Sequence, residues 1–170
     1  MPTPDVDVDA ILVALDRHDV DYVVIGGFAA ELYDVAIPPT RDIDITPSDT
    51  TENLQRLASA LGDLDARLRV VDGPAEGFPI PGGVTAEWLA SMPTMTFTTS
   101  AGPFDVCRRP TGTDGYDDLV EDQQTLSYGD RDVPVASLED VIRSKEAAGR
   151  EKDLLVIPAL RAHLRRMEST

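Results

Sequence analysis

The segment YVVIGGFAAELYDVAIPPTRDIDI, residues 22–45, decides the fold of this chain. A β-branched run ends in two glycines, a helical stretch and a proline-containing loop follow, and the chain then returns to the extended sequence DIDI. Because side chains alternate faces along a strand, Asp42 and Asp44 are predicted to point the same way, opposite to the isoleucines. The segment therefore predicts strand, helix and strand, with two carboxylates presented side by side.

The paired aspartates predict a metal site. Carboxylates that share a small site repel each other unless a cation lies between their oxygens, and hard divalent ions such as Mg²⁺ bind such ligands. The alternative is a solvated turn, where aspartates at this spacing are common. Upstream, the Gly26-Gly27 turn places backbone amides at a helix start, which is a favourable position for a phosphate. A metal beside a phosphate favours phosphoryl or nucleotidyl transfer.

Composition restricts the kinds of site and partner. The 170-residue chain has a formal net charge of −16, which opposes non-specific binding to nucleic acid. Its single cysteine, Cys107, excludes an intrachain disulfide and a cysteine-rich zinc cluster, and its two histidines lie near opposite ends of the sequence. Neither a long apolar run nor a secretory signal is recognisable. We therefore expect a cytoplasmic protein with no membrane partner.

The remaining patterns predict an α/β (α+β) fold, in which a small mixed sheet is flanked by helices within a single domain, residues 1–170. Two β-branched runs, 94–99 and 104–107, predict an antiparallel hairpin with Asp105 on its second strand. The sheet-containing core is expected over about residues 20–136. Helices near the C terminus are expected over about residues 137–168.

Helix boundaries follow from capping residues and helix breakers. Ser48 or Asp49 is predicted to cap a helix that Gly62 ends. Ser137 is predicted to cap the first of the C-terminal helices. Pro158 is expected to kink the last helix or to split it into two pieces.

At these residues the chain resembles the nucleotidyltransferase superfamily that shares its fold with DNA polymerase β, specifically the small bacterial members related to type IV toxin nucleotidyltransferases. Those proteins place a Gly-Gly or Gly-Ser pair after the first strand and an R-x-T-x-D-I-D or similar element after it. The matching residues here are Gly26, Gly27 and the run Arg41-Asp42-Ile43-Asp44. The resemblance implies the nucleotidyltransferase fold and transfer of a nucleoside monophosphate from an NTP to an acceptor hydroxyl, with Mg²⁺, or Mn²⁺ in its place, as cofactor.

The resemblance also implies a third carboxylate on a later strand, which Asp105 in PFDVC matches. In that interpretation Asp42, Asp44 and Asp105 are the metal ligands and catalytic acids. Asp42 and Asp44 hold metal beside the triphosphate, while Asp105 helps to place and deprotonate the acceptor hydroxyl. Taken alone, Asp105 is equally compatible with an ordinary acid at a strand end.

A helical element of the same family, K-x-x-x-x-R-x-K-D, is matched by Lys145, Arg150, Lys152 and Asp153, while Ile157 replaces a later acid. Lys145 is expected to act in catalysis by neutralising the triphosphate, and Arg150 to bind a second phosphate or to make a structural contact. The alternative is a solvated basic helix face. The loop residue Arg41 is expected either to contact the nucleotide or to neutralise the acid cluster.

The resemblance leaves several acceptors and roles open. An RNA 3′ end, especially of tRNA, is expected slightly ahead of a protein or a small acceptor, although the acidic composition favours the latter two. A toxin paired with a cognate antitoxin protein is one biological role. The competing hypothesis is a catalytically silent member that binds a nucleotide or a partner protein.

Overall fold

A computed structural model describes residues 5–170 of the chain. The strands in this part are β1 (Tyr22–Ile25), β2 (Ile43–Pro47), β3 (Arg67–Leu68), β4 (Thr94–Thr99), β5 (Gly102–Cys107), β6 (Gln124–Tyr128) and β7 (Arg131–Val135). The helices are α1 (Val8–Arg17), α2 (Gly26–Leu32), α3 (Thr51–Asp63), α4 (Ala86–Ser91), α5 (Tyr116–Leu119), α6 (Leu138–Ala148) and α7 (Glu151–Glu168). Within residues 5–170, no helix combines the length and the apolar character needed to cross a bilayer.

All seven described strands form one mixed sheet in the order β3-β4-β5-β2-β1-β7-β6. The central pairs β2·β5 and β1·β7 are parallel, whereas β1·β2, β3·β4, β4·β5 and β6·β7 are antiparallel. The predicted small mixed sheet with flanking helices is therefore confirmed. This order places the strand that follows the proline-containing loop beside the second strand of the predicted hairpin.

Apolar side chains fix the register between those two strands. Ile43 of β2 lies opposite Phe104 of β5, which lies opposite Phe97 of β4, and all three side chains are fully buried. Ile45 is equally buried one pleat further along β2. A slip of one residue would turn these apolar side chains to the other face, so burial of the isoleucines determines where the intervening aspartate points.

Two of the predicted helix boundaries are wrong. Thr50 caps α3, because its hydroxyl accepts a hydrogen bond from the Asn53 amide at 3.1 Å, so the cap is neither Ser48 nor Asp49. The helix also continues through Gly62 to Asp63, because the buried C-cap residue Leu64 still donates its backbone N–H to the Ala60 carbonyl at 3.2 Å.

The first C-terminal helix begins as predicted, but the last helix is not split at Pro158. Ser137 caps α6 by accepting a hydrogen bond from the Asp140 amide at 3.1 Å. The following helix α7 runs without a break through Pro158. Proline leaves the carbonyl of Leu154 without its helical donor, and Leu154 is an exposed residue, so this carbonyl is not forced to lie unpaired in the core.

Candidate active site

Two parallel strands bring the three predicted carboxylates together. Asp44 of β2 lies directly opposite Asp105 of β5 in the strand register, and Asp42 comes two residues earlier, just before β2 begins. One carboxylate oxygen of each residue lies within 4.8 Å of the other two. The alternation of side chains expected from the sequence therefore produces a compact group of acids at one position on the sheet.

Electrostatic repulsion within this acid cluster, which comprises Asp42, Asp44 and Asp105, is strong. Burial raises the pKa of Asp44 well above its usual value, and the charges of Asp42 and Asp105 raise it further, while Lys152 acts in the opposite direction. Burial also raises the pKa of Asp105, an effect that the nearby Arg69 opposes and Asp42 reinforces. Each ionised carboxylate therefore makes ionisation of its neighbours less favourable, and a bound cation would relieve this repulsion.

The donor set of the acid cluster fits a hard divalent cation. Each of the three residues offers a carboxylate oxygen, and these oxygens are close enough to share one ion. Mg²⁺ and Mn²⁺ prefer oxygen ligands of this type. The residues present thus match the ion that the sequence resemblance implies.

The turn before α2 is shaped to admit Asp44. Gly26 begins α2 with a φ of 71°, a conformation that L side chains rarely adopt. A Cβ atom at this position would lie closer to Asp44 Oδ2 than van der Waals contact permits. The absence of a side chain at Gly26 is therefore required both by the backbone and by the carboxylate beside it.

The loop before β2 orients Asp42. The Thr40 hydroxyl donates a hydrogen bond to Asp42 Oδ1 at 2.9 Å, and the Thr40 backbone N–H donates to the Glu31 carboxylate. A Cβ atom on Gly27 would lie 3.2 Å from Thr40 Oγ1 and Cβ, so the small residue lets this loop pack closely against α2. Gly26 and Gly27 thus serve the acid cluster in addition to their predicted place beside a phosphate.

The predicted cations of the C-terminal helices surround a buried acid. Asp153 has a side chain only 1% exposed and accepts from Lys145 Nζ at 3.4 Å and from Arg150 Nε at 2.7 Å. Burial acts to raise the pKa of Asp153, but the hydrogen bond and charge of Arg150, together with Lys145, lower it overall. These ion pairs hold both cations at the junction between α6 and α7.

A cavity of about 920 Å³ connects these groups. Its lining includes the acid cluster, both glycines of the β1–α2 turn, and the cations Lys145, Arg150 and Lys152. Arg41 is exposed and is not itself among the lining residues of this cavity, although its neighbours Thr40 and Asp42 are. The cavity thus places cations and carboxylates around one shared space.

Arg69 is a site residue that the sequence did not indicate. Its Nη2 atom lies 2.8 Å from Asp105 Oδ1 and 3.1 Å from Oδ2. It follows the two-residue strand β3 and precedes a loop rich in glycine and proline, where no motif marks it. Only the pairing of β3 with β4, and of β4 with β5, brings it to Asp105.

Comparison with known proteins depends on structure alone, because no family model and no curated protein match the chain. The crystal structure of the lincosamide antibiotic adenylyltransferase LnuA, lincomycin-bound, is similar with a TM-score of 0.62 and 19% identity, covering 94% of this chain and 99% of that chain. A candidate nucleotidyltransferase from Thermotoga maritima is similar with a TM-score of 0.54 and 17% identity, covering 94% and 91% of the two chains. The antibiotic-resistance factor ANT(2'')-Ia gives a TM-score of 0.50 at 15% identity, covering 95% and 93%.

This chain has a nucleotidyltransferase fold. The likeness extends over nearly the whole of the chain and of each of these three neighbours. The nucleotidyltransferase fold predicted from residues 22–45 is thereby confirmed, whereas the resemblance to toxin members in particular stays a prediction.

Proposed function

We propose that this chain is a Mg²⁺-dependent nucleotidyltransferase, with Mn²⁺ as an alternative ion, that transfers a nucleoside monophosphate from an NTP to an acceptor hydroxyl. The observation that carries the proposal is the acid cluster, whose oxygens lie within 4.8 Å of one another at the wall of a cavity of about 920 Å³. A cavity of this size is in the range of known ligand sites. The reaction fits the cytoplasm, where NTPs are available.

The proposed reaction assigns a distinct role to each acid. Asp42 and Asp44 would hold the metal, and Asp105 orients the acceptor hydroxyl and takes its proton. The acceptor oxygen then forms a bond to the α-phosphorus while the bond between that phosphorus and pyrophosphate breaks. Divalent ions, when bound, stabilise the attacking and the leaving oxygen. The proton passes from Asp105 to solvent after pyrophosphate departs.

The triphosphate is proposed to lie between the β1–α2 turn and the C-terminal helices. Backbone amides at Gly26 and Gly27 are oriented at the start of α2, where no side chain caps the helix. Lys145 and Arg150 line the same cavity and offset the phosphate charge. Arg41 is proposed to contact the nucleotide from its exposed position outside the cavity lining.

Three kinds of acceptor are consistent with this proposal. The sequence resemblance favours an RNA 3′ end, especially of tRNA, in a toxin that a cognate antitoxin protein neutralises. The net charge of −16 favours a protein or a small hydroxyl compound instead. The neighbour LnuA is a lincosamide antibiotic adenylyltransferase, so lincomycin is a suitable small-molecule probe.

The test is transfer of label from each of the four α-³²P-labelled NTPs to total RNA, total protein or lincomycin in the presence of Mg²⁺. We expect one nucleotide and one acceptor class to become labelled by the native chain, with release of pyrophosphate. Asp42→Asn and Asp44→Asn should each lower the transfer rate by at least about 10³-fold, because each removes a charged metal ligand.

The matched control is Asp130→Asn, the same chemical change at an exposed residue in the turn between β6 and β7. This variant should transfer label at the native rate. Transfer that survives in Asp42→Asn and Asp44→Asn would show that the acid cluster is not the reaction centre. NTP binding without pyrophosphate release would support the catalytically silent alternative.

A further inference from the structure

The three carboxylates of the acid cluster have different partners. Asp42 accepts a hydrogen bond from the uncharged Thr40 hydroxyl at 2.9 Å. Among residues 5–170, neither Asp42 nor Asp44 forms an ion pair with a basic side chain, whereas Asp105 forms one with Arg69 at 2.8 Å. The acid cluster therefore divides into two carboxylates without a cationic partner and one that a guanidinium already neutralises.

Arg69 is held in place by its own backbone. Its N–H donates to the Thr96 carbonyl at 2.9 Å, and the Thr96 hydroxyl donates to the Arg69 carbonyl at 2.8 Å. Thr96 in turn lies directly opposite Asp105 in the β4·β5 register. The backbone of Arg69 is thus held to β4 beside Asp105, although the loop that follows Arg69 is exposed.

The side chain of Arg69 makes both of its described hydrogen bonds to Asp105. A single nitrogen, Nη2, lies 2.8 and 3.1 Å from the two carboxylate oxygens, so both oxygens are engaged. The Asp105 side chain is 14% exposed, so solvent weakens this ion pair less than it weakens a surface pair. Arg69 itself is not among the residues that line the cavity, whereas Asp105 is.

A metal ion and the guanidinium compete for the same oxygens. Coulomb attraction between a divalent ion and Asp105 is offset by repulsion between that ion and the fixed charge of Arg69. Among the residues that the structure describes, neither Asp42 nor Asp44 is ion-paired in this way, although the charge of Lys152 also acts on Asp44. Arg69 consequently makes Asp105 the weakest metal ligand of the three and fixes the direction in which its oxygens point.

We propose that Arg69 is a positioning residue that keeps Asp105 out of the coordination of a metal bound by Asp42 and Asp44, and so reserves this carboxylate for the acceptor hydroxyl. This inference rests on the proposed function for the role of Asp105. It requires that loss of the guanidinium strengthens metal binding while it weakens catalysis. A merely structural ion pair would not separate the two effects in this way.

The first measurement is the affinity of the nucleotide-free protein for Mn²⁺. Binding is detected as the loss of the free-ion signal in electron paramagnetic resonance. Arg69→Met removes the charge and retains an unbranched apolar side chain. We expect this variant to bind Mn²⁺ about threefold to tenfold more tightly than the native chain, because Asp105 becomes available as a ligand. In Arg69→Met combined with Asp105→Asn, the gain should disappear relative to Asp105→Asn alone.

The second measurement is the transfer reaction at saturating metal. Arg69→Met should lower kcat by at least about tenfold and leave the KM for the NTP within about twofold, since Asp105 is no longer held for the acceptor. Arg69→Lys retains the charge but changes the geometry. It should bind Mn²⁺ within about twofold of the native chain and show an intermediate kcat.

Arg67→Met is the matched control, because Arg67 lies two residues earlier and donates to the carbonyls of Glu76 and Gly77 instead of to a carboxylate. It should leave Mn²⁺ affinity and kcat unchanged. Mn²⁺ affinity that is unchanged or weaker in Arg69→Met overturns the role of Arg69, as does a native kcat in that variant. A native chain that transfers no nucleotide overturns the proposed function instead, so the two failures are distinguishable.

Discussion

At the residue scale, the close approach of Gly26 to Asp44 brings together the glycine turn and the paired aspartates of residues 22–45. The glycine has positive φ, and any Cβ there would displace the Asp44 carboxylate, which lies against it across the β1·β2 pair. A side chain at position 26 is therefore opposed both by the backbone conformation and by the neighbouring carboxylate. Here one position combines both, so a single methyl group tests whether the placement of Asp44 matters to metal binding.

Gly26→Ala is expected to fold but to lose metal binding. Positive φ costs an alanine about 1–2 kcal/mol of folding stability, and the added methyl also pushes Asp44 away from Asp42 and Asp105. We expect Mn²⁺ affinity to fall by at least about tenfold, since one of the three carboxylates is misplaced. Isothermal titration of the nucleotide-free protein measures this loss.

Gly82→Ala separates the backbone cost from the displacement of the carboxylate. Gly82 has a φ of 76°, but its Cβ position has no described atom within 4 Å. This control should lose a similar amount of stability and bind Mn²⁺ normally. If Gly26→Ala binds Mn²⁺ as tightly as Gly82→Ala, the close approach to Asp44 has no functional consequence.

At the scale of elements, the junction between α6 and α7 depends on one buried acid. Asp153 lies in the first turn of α7 and pairs with Lys145 of α6 and with Arg150, the residue that precedes α7. Removal of a buried acid from its ion pairs costs more folding stability than removal of an acid from a surface pair. In this case, two cations are left without their partner. The orientation of both predicted phosphate-binding side chains therefore depends on Asp153.

Asp153→Asn is expected to destabilise the fold in a pH-dependent manner. Because Arg150 and Lys145 lower the pKa of Asp153 below its usual value, the ionised side chain stabilises the folded state at neutral pH. The stabilisation is lost as the pH falls through the folded-state pKa. Urea unfolding should therefore show a loss of about 2 kcal/mol in Asp153→Asn at pH 7, and a smaller loss as the pH is lowered toward 3.

Glu151→Gln provides the comparison, because this exposed acid lies in the same turn and forms no ion pair among the described residues. Its unfolding free energy should change by less than about 1 kcal/mol at pH 7. The assigned role of ionised Asp153 would be contradicted if the difference in unfolding free energy between Asp153→Asn and the native chain stayed constant from pH 7 to pH 3.

The sequence predicts the site residues that lie in local patterns better than those that reach the site through long-range strand pairing. The shared face of Asp42 and Asp44 follows from strand alternation. The hairpin pattern places Asp105 on a strand, whereas its place beside the other two acids was implied only by the family resemblance. Arg69 could not be predicted in this way, because it reaches Asp105 through two strand pairings that depend on the whole sheet order. Arg41 shows the opposite case, in which a motif residue adjacent to the acids has an exposed side chain outside the cavity lining.

At the scale of the whole molecule, the acid cluster concentrates partly buried negative charge at one site of a chain whose net charge is −16. Self-repulsion of this kind destabilises the compact state. Functional sites often lower the stability of the ligand-free protein. Reducing the negative charge of the acid cluster, by substitution or by a bound cation, should therefore stabilise the fold.

Mg²⁺ is therefore expected to raise the unfolding temperature of the native chain. At a concentration of about 100 times its dissociation constant, a ligand that binds only the folded state adds about 2.7 kcal/mol, which corresponds to roughly 5–10 °C for a chain of this size. Asp44→Asn should be more stable than the native chain without metal, by about 0.5–2 kcal/mol, because it removes a buried charge from the acid cluster. It should gain little from Mg²⁺, because one ligand is lost.

Differential scanning fluorimetry at constant ionic strength measures both effects, with KCl in place of MgCl₂ as the control for general screening. Screening alone would raise the unfolding temperature of both proteins equally with either salt. A specific site instead requires a shift that depends on Mg²⁺, is present in the native chain and is lost in Asp44→Asn. An equal response of both proteins to Mg²⁺ would mean that the acid cluster does not bind the ion, because the ion would then be acting on the charge of the molecule as a whole.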